Sequence, residues 1–251
     1  QLGKDLAARK LKNAAAGDEL GQRLTELELT DLALMWSEGK EKAEDKKGNN
    51  LLHLLVQKKL PTDLLLSLID EFANQGVDIN KRNSEWNNAT PLTMAMTQKQ
   101  DLSVIEKLVE KRASLSLPHK HPPVKVALEG MKYGKDTDVY KKNKAYLDFL
   151  LQGGADLTEP GSFAAICRRA PLDMVKLAVS NGADANGEFD NWTHLGLAAF
   201  GERGDVVKLL LSAGADPNKL DDVQQNSLFR ARNKESFDLL LDAGADPLIR
   251  S

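Results

Sequence analysis

The stretch "LLLSAGADPNKLDD", Leu209 to Asp222, decides the fold, because an apolar run stops at a glycine and turns polar at once. Three other stretches repeat the stop: "LLQGGADLTEPG", "AVSNGADANGEF" and "LLDAGADPLIRS". The four glycines, Gly154, Gly182, Gly214 and Gly244, stand 28, 32 and 30 residues apart. A near-fixed period in this range predicts an array of structural repeats. The residues before each stop, as in "DVVKLLLSA" (Asp205 to Ala213), place their apolar side chains at helical spacing. Glycine then suits the left-handed cap that ends such a helix.

Upstream the period continues at spacings of 37, 36 and 42 through Gly39, Gly76 and Arg112, where "LVEKRASLSLPH" substitutes arginine for the expected glycine. Seven repeats then fill the chain. A second, shorter helix precedes each stop helix, as in "ATPLTMAMTQ" (Ala89 to Gln98) and "WTHLGLAAF" (Trp192 to Phe200). The expected repeat is a helix pair followed by a polar turn. No repeat can bury its own apolar face, so neighbours must stack.

Bulk composition sets limits on function. The chain has 251 residues, 41% hydrophobic and 28% charged, which predicts a folded protein with a core built mainly from Leu, Ala and Val. Lys and Arg (34) nearly balance Asp and Glu (37) for a net charge of −3, so bulk charge draws it neither to nucleic acid nor to anionic membrane. Cys167 is the single cysteine, which excludes an internal disulfide and a cysteine-cluster zinc site. No apolar run reaches the roughly 18 to 20 residues that a membrane span needs. The chain opens at Gln1 without Met. Cytoplasmic location is the expectation, with export left open by a leader removed before Gln1.

These residues resemble the ankyrin-repeat family. "EFDNWTHLGLAAFGERGDVVKLLLSAGADPN" (Glu188 to Asn218) follows the pattern, with "THLGLAA" in place of TPLHxAA, and "ATPLTMA" and "GNNLLHLL" supply further copies. The resemblance implies an all-α solenoid of helix-turn-helix repeats. Thr90 caps a first helix that Pro91 opens, and Ala95, Ala198 and Ala199 let helices approach closely. Residues 1–45 are expected to be a degenerate N-terminal cap formed by "LGKDLAARKLKNAAA" and "LTDLALMWSE", and 46–251 six repeats of one continuous domain. Departures are an insertion of 11 residues near 129–144, the absence of a TPLH in "GSFAAICRRAPLDMVKLAV", and a short stretch between Arg232 and Phe237.

No constellation for chemistry is complete. His53 stands at the TPLH histidine and is expected to bond turn backbone, while His119 and His121 in "HKHPP" make at most a weak metal site. Cys167 is expected to be a buried small hydrophobe, with Arg168 and Arg169 able to activate it only if it were exposed. The recurring Asp184, Asp216 and Asp246 fit turn hydrogen bonding. No phosphate loop, dinucleotide turn or nucleophile elbow is present. No cofactor, metal or small-molecule substrate is expected, and the unbound chain is expected to be monomeric.

Recognition of a protein remains. In the family, turn tips and the first helix line a concave face, which the resemblance maps to Trp86, Asn87, Thr97 and Gln98 and to Phe189, Asp190, Trp192 and Phe200. Exposed aromatics there are expected to anchor a partner. Tyr133, Tyr140, Lys141 and Lys142 in the insertion are a second candidate contact. The expected function is a non-enzymatic scaffold, adaptor or stoichiometric inhibitor. The alternatives are a bacterial toxin-neutralising protein or secreted effector using the same face, and the substrate-docking part of an enzyme whose catalytic domain lies outside this chain.

Overall fold

The computed structural model describes residues 18–39, 43–84, 88–116, 121–131 and 136–249. They form two compact units that divide between Ser114 and Leu115. The first holds α1 (Glu19–Glu26), α2 (Thr30–Gly39), α3 (Leu51–Val56), α4 (Thr62–Asn74), α5 (Pro91–Thr97) and α6 (Leu102–Glu110). The second holds α7 (Pro123–Gly130), α8 (Asp138–Gln152), α9 (Pro160–Arg169), α10 (Leu172–Ser180), α11 (His194–Phe200), α12 (Gly204–Ser212), a 3-10 helix (Ser227–Arg230) and α13 (Lys234–Asp242). Each unit is a stack of antiparallel helix pairs, three in the first and four in the second among the described residues. Within the second unit the first helices α7, α9, α11 and the 3-10 helix pack in sequence, and the second helices form the next layer.

Helix α12 shows how one repeat is specified. Val206, Val207 and Leu210 are buried between neighbours while Asp205 and Lys208 face water. The helix ends at Gly214, whose φ is +89°. The Gly214 N–H donates to Leu211 O (3.1 Å) and the Ala215 N–H to Leu210 O (3.0 Å), a Schellman cap that satisfies the last carbonyls. The same pair of bonds recurs at Gly76, Gly154, Gly182 and Gly244. Arg112 makes it too, at φ +70°, so an arginine carries the backbone conformation that glycine carries elsewhere. Gly39 is different: it is the last residue of α2 and lacks a positive φ, so it is not a stop of this kind.

The polar corner explains the repeated Asp and adds a bond between repeats. Asp78, Asp184 and Asp216 each accept, through Oδ1, the N–H two residues on, closing an Asx-turn. That second residue is Asn80, Asn186 or Asn218, and its amide reaches the next corner. Asn186 Nδ2 donates to Gly214 O (2.8 Å) while its Oδ1 accepts from Asp216 N–H (2.7 Å). Asn218 does the same to Gly244 and Asp246, and Asn80 to Arg112 and Ser114. Consecutive stops are thus stitched by one side chain that uses both ends of its amide.

Several expectations are corrected. The first described helix, α1, falls between the two N-terminal patterns; Asp18 caps it and takes the Trp36 indole N–H at 2.6 Å. The pattern "LGKDLAARKLKNAAA" lies outside the described residues. The inserted residues lengthen the second helix of their repeat: α8 runs 15 residues from a Thr137 cap. "EPGSFAA" is a helix start after all, because the Glu159 carboxylate accepts the Ser162 N–H (2.7 Å) in the role of the TPLH threonine. The short last repeat replaces its first helix with the 3-10 turn after Asn226.

Candidate functional site

The polar turn "EFDNWT" is a two-stranded hairpin, β1 (Glu188–Phe189) and β2 (Trp192–Thr193). Asp190 and Asn191 take φ of +52° and +70°, the pair of positive values that a two-residue type I′ turn requires and that Asp and Asn tolerate. The register sets Phe189 opposite Trp192, so both rings leave the hairpin on one face. Trp192 meets Phe200 of α11 edge to face, centroids 5.0 Å apart. Phe189 lies over Gly161, where a Cβ would come within 2.8 Å of its ring.

Cations cover these rings. Lys125 Nζ sits 4.5 Å from the Phe189 centroid, and the guanidinium of Arg230 sits 3.9 Å from that of Trp192. Phe200 is met by two guanidiniums, Arg232 at 3.7 Å and Arg168 at 5.0 Å. Arg230 is held in place by an ion pair with the buried Asp221. Arg168 and Arg169 close the last turn of α9, where the helix dipole favours positive charge. Burial, and then the charges of Arg169 and Arg232, hold the Arg168 guanidinium below its ordinary pKa.

Between α7, α9, the hairpin and α11, the three aromatics with Lys125, Arg168 and Arg169 line a cleft of ≈ 340 Å³, with Glu129 and Asp190 as its carboxylates; Arg230 and Arg232 are not part of that lining and reach it only by stacking on Trp192 and Phe200. Phe189, Trp192 and Phe200 are half-buried, which corrects the expectation of exposed anchors; Asp190 is exposed. Trp192 contacts Phe200 of its own repeat and Arg230 of the following one. The groups presented from this cleft are therefore the arginines, with the aromatics as their platform. Sequence reasoning noted Arg168 and Arg169 only as neighbours of Cys167, and Arg232 only as the edge of a short repeat.

The other candidate residues fall elsewhere. Thr97 and Gln98 are exposed at the C-terminal end of α5 in the first unit, and the Thr97 hydroxyl is spent on Thr93 O (2.7 Å). Tyr140 is half-buried and Lys141 exposed in the first turn of α8, and neither they nor Lys142 line the cleft. Trp86, Asn87, Tyr133 and His119 lie outside the described residues.

The groups suited to chemistry serve packing. Cys167 is fully buried in α9, and burial pushes its thiol pKa well up. His53 bonds Ala89 O through Nε2 (2.9 Å), while its Nδ1 lies 3.3 Å from Asn50 N and 2.8 Å from Asn50 Oδ1, so the ring is held by the turn and the cap residue. His194 spans two carbonyls, Asp184 O at 3.0 Å and Pro160 O at 3.3 Å, from the position of the TPLH proline. Burial lowers the pKa of both histidines. Among the described residues no three His, Cys, Asp or Glu side chains gather as metal ligands, and no helix is long and apolar enough to cross a membrane.

Comparison with known proteins agrees with this architecture. A family profile for ankyrin repeats, in three copies, matches residues 139–221 and 162–251. A human mitochondrial disaggregase is 38% identical over 76 residues, 30% of this chain and 10% of that protein. The Caenorhabditis elegans "Ankyrin repeat and KH domain-containing protein mask-1" is 28% identical over 168 residues, 64% of this chain and 6% of its own length. The chain thus spans a tenth or less of either relative. The crystal structure of the human ASB11 ankyrin repeat domain is similar over 95% of this chain and 98% of its own, with a TM-score of 0.52 at 19% identity, a likeness of fold alone.

Proposed function

The chain is an ankyrin-repeat protein, and from that premise we propose a non-enzymatic scaffold that holds a protein partner against the cleft of its second unit, as adaptor or stoichiometric inhibitor. Ankyrin repeats are in general protein-interaction modules, and the family is typically non-enzymatic. The observation that carries the reading is the cleft itself. Two half-buried aromatics, Trp192 and Phe200, hold guanidiniums at the surface and a third, Phe189, an ammonium, an arrangement that costs desolvation and like-charge repulsion and that repeat stacking does not need. Thr97 and Gln98 of the first unit and the Tyr140 to Lys142 turn are assigned as further contacts on their place at helix ends.

The test is affinity capture with wild-type chain and with an Arg169→Ala/Arg232→Ala variant of unchanged melting curve. A partner held by the first and lost from the second supports the cleft; one held equally by both removes it. A second reading, docking module of an enzyme whose catalytic part lies elsewhere, is favoured by the 76-residue likeness to the disaggregase. The full reading frame decides it: a catalytic domain joined to these repeats supports it, and its absence refutes it.

A further inference from the structure

Resting on the cleft reading above, we propose that the segment this cleft takes from its partner is an acidic peptide whose carboxylates meet Arg168, Arg169 and Arg232. The argument is charge complementarity. None of these three arginines has an ion pair among the described residues; Arg168 and Arg169 line the cleft, Arg232 stacks on its Phe200, and the lining offers only Glu129 and Asp190 as carboxylates. Glu129 lies 4.0 Å from Lys125 and offsets only part of the burden on Arg168, whose charge is still disfavoured by burial and by its neighbouring arginines. The excess is local, since the whole chain is net negative at −3. An incoming carboxylate relieves the mutual repulsion that burdens Arg168, and a guanidinium fork binds a carboxylate bidentately.

The rings argue against other occupants. Phe200 already carries two guanidiniums, Trp192 one and Phe189 an ammonium, so the faces that would cage a methylated ammonium or stack a base are taken by the protein's own cations. A volume of ≈ 340 Å³ is at the low end for ligand sites and accommodates a few side chains of an extended segment. Cations held by stacking before the partner arrives lose less freedom on binding.

The test is selection of a random phage-displayed peptide library on the whole chain, followed by fluorescence anisotropy of the enriched peptides. The expected peptides carry clustered Asp or Glu, lose about tenfold or more in affinity on Arg169→Gln/Arg232→Gln or on Arg168→Gln, and weaken steeply with salt. Melting curves unchanged in the exposed Arg169/Arg232 pair keep the comparison valid if Arg168→Gln perturbs folding. Enriched peptides that are apolar or basic, yet still lost in the arginine variants, overturn the acidic class and leave the cleft as docking surface. Peptides that bind wild type and variants alike, or no enrichment, overturn the cleft with it. An RNA oligonucleotide that binds in an arginine-dependent way while no acidic peptide does also overturns the proposal.

Discussion

Replacing Gly214 by valine isolates the physical basis of the repeated stop. Gly214 sits at φ +89°, and a Cβ built there meets nothing within 4 Å, so the penalty is purely conformational. An L-residue held left-handed loses about 1–2 kcal/mol, and β-branching adds to it. The smaller unfolded-state entropy of a non-glycine residue returns roughly 0.4–1 kcal/mol. The net expectation is destabilisation of about 1–2 kcal/mol. In urea unfolding followed by far-ultraviolet circular dichroism, with a slope of roughly 2 kcal/mol/M, the midpoint falls by about 0.5–1 M. Gly39 provides the control, because its Cβ also meets nothing within 4 Å but its φ is not positive. Gly39→Ala should be neutral or stabilising by up to about 1 kcal/mol. A Gly214→Val midpoint equal to wild type would refute the left-handed cap.

Other outcomes follow from the same geometry. Arg112→Gly relieves the second-helix stop that lacks glycine among the described residues and should raise stability modestly, by roughly 0.5–1 kcal/mol, seen as a higher urea midpoint; a lowered midpoint contradicts strain at φ +70°. Gly161→Ala must move the Phe189 ring or Pro122, at 2.8 and 3.1 Å from the new methyl, and should cost about 1–3 kcal/mol in the same assay. His53 and His194 have folded pKa values below their unfolded value near 6.5, so the unfolded chain binds more protons. Stability should therefore be complete above about pH 7 and fall as acid carries the unfolded chain through that value; a midpoint equal at pH 7.5 and pH 5 sinks this. Native Cys167 should resist a thiol reagent until urea unfolds the second unit.

What was legible in the sequence is what local backbone physics dictates. Gly154, Gly182, Gly214 and Gly244 announce left-handed caps, and Asp184 and Asp216 announce the turns that follow. The Asn186 and Asn218 stitches were hidden because their partners sit in the next repeat. Glu159 was overlooked as a cap since carboxylate replaces the hydroxyl at the same place. Helix α1 offers only Leu20 and Leu24 as buried large apolar side chains, too few for a periodic signal. At the site, aromatic residues were visible but their exposure was not: Arg230 and Arg232, 38 and 32 residues downstream of Trp192 and Phe200, stack over those rings. Stacking of cations on rings is set by how successive repeats pack, and no spacing along the chain reports it.

A photo-crosslinking amino acid at Asp190, the exposed hairpin tip on the cleft, compared with one at Lys176 on the outer helix layer, tests the central claim most directly. With the captured partner present, the expected result is a covalent adduct from position 190 and none from position 176. Adducts from 176 with none from 190 would contradict the assignment of the cleft as the partner surface.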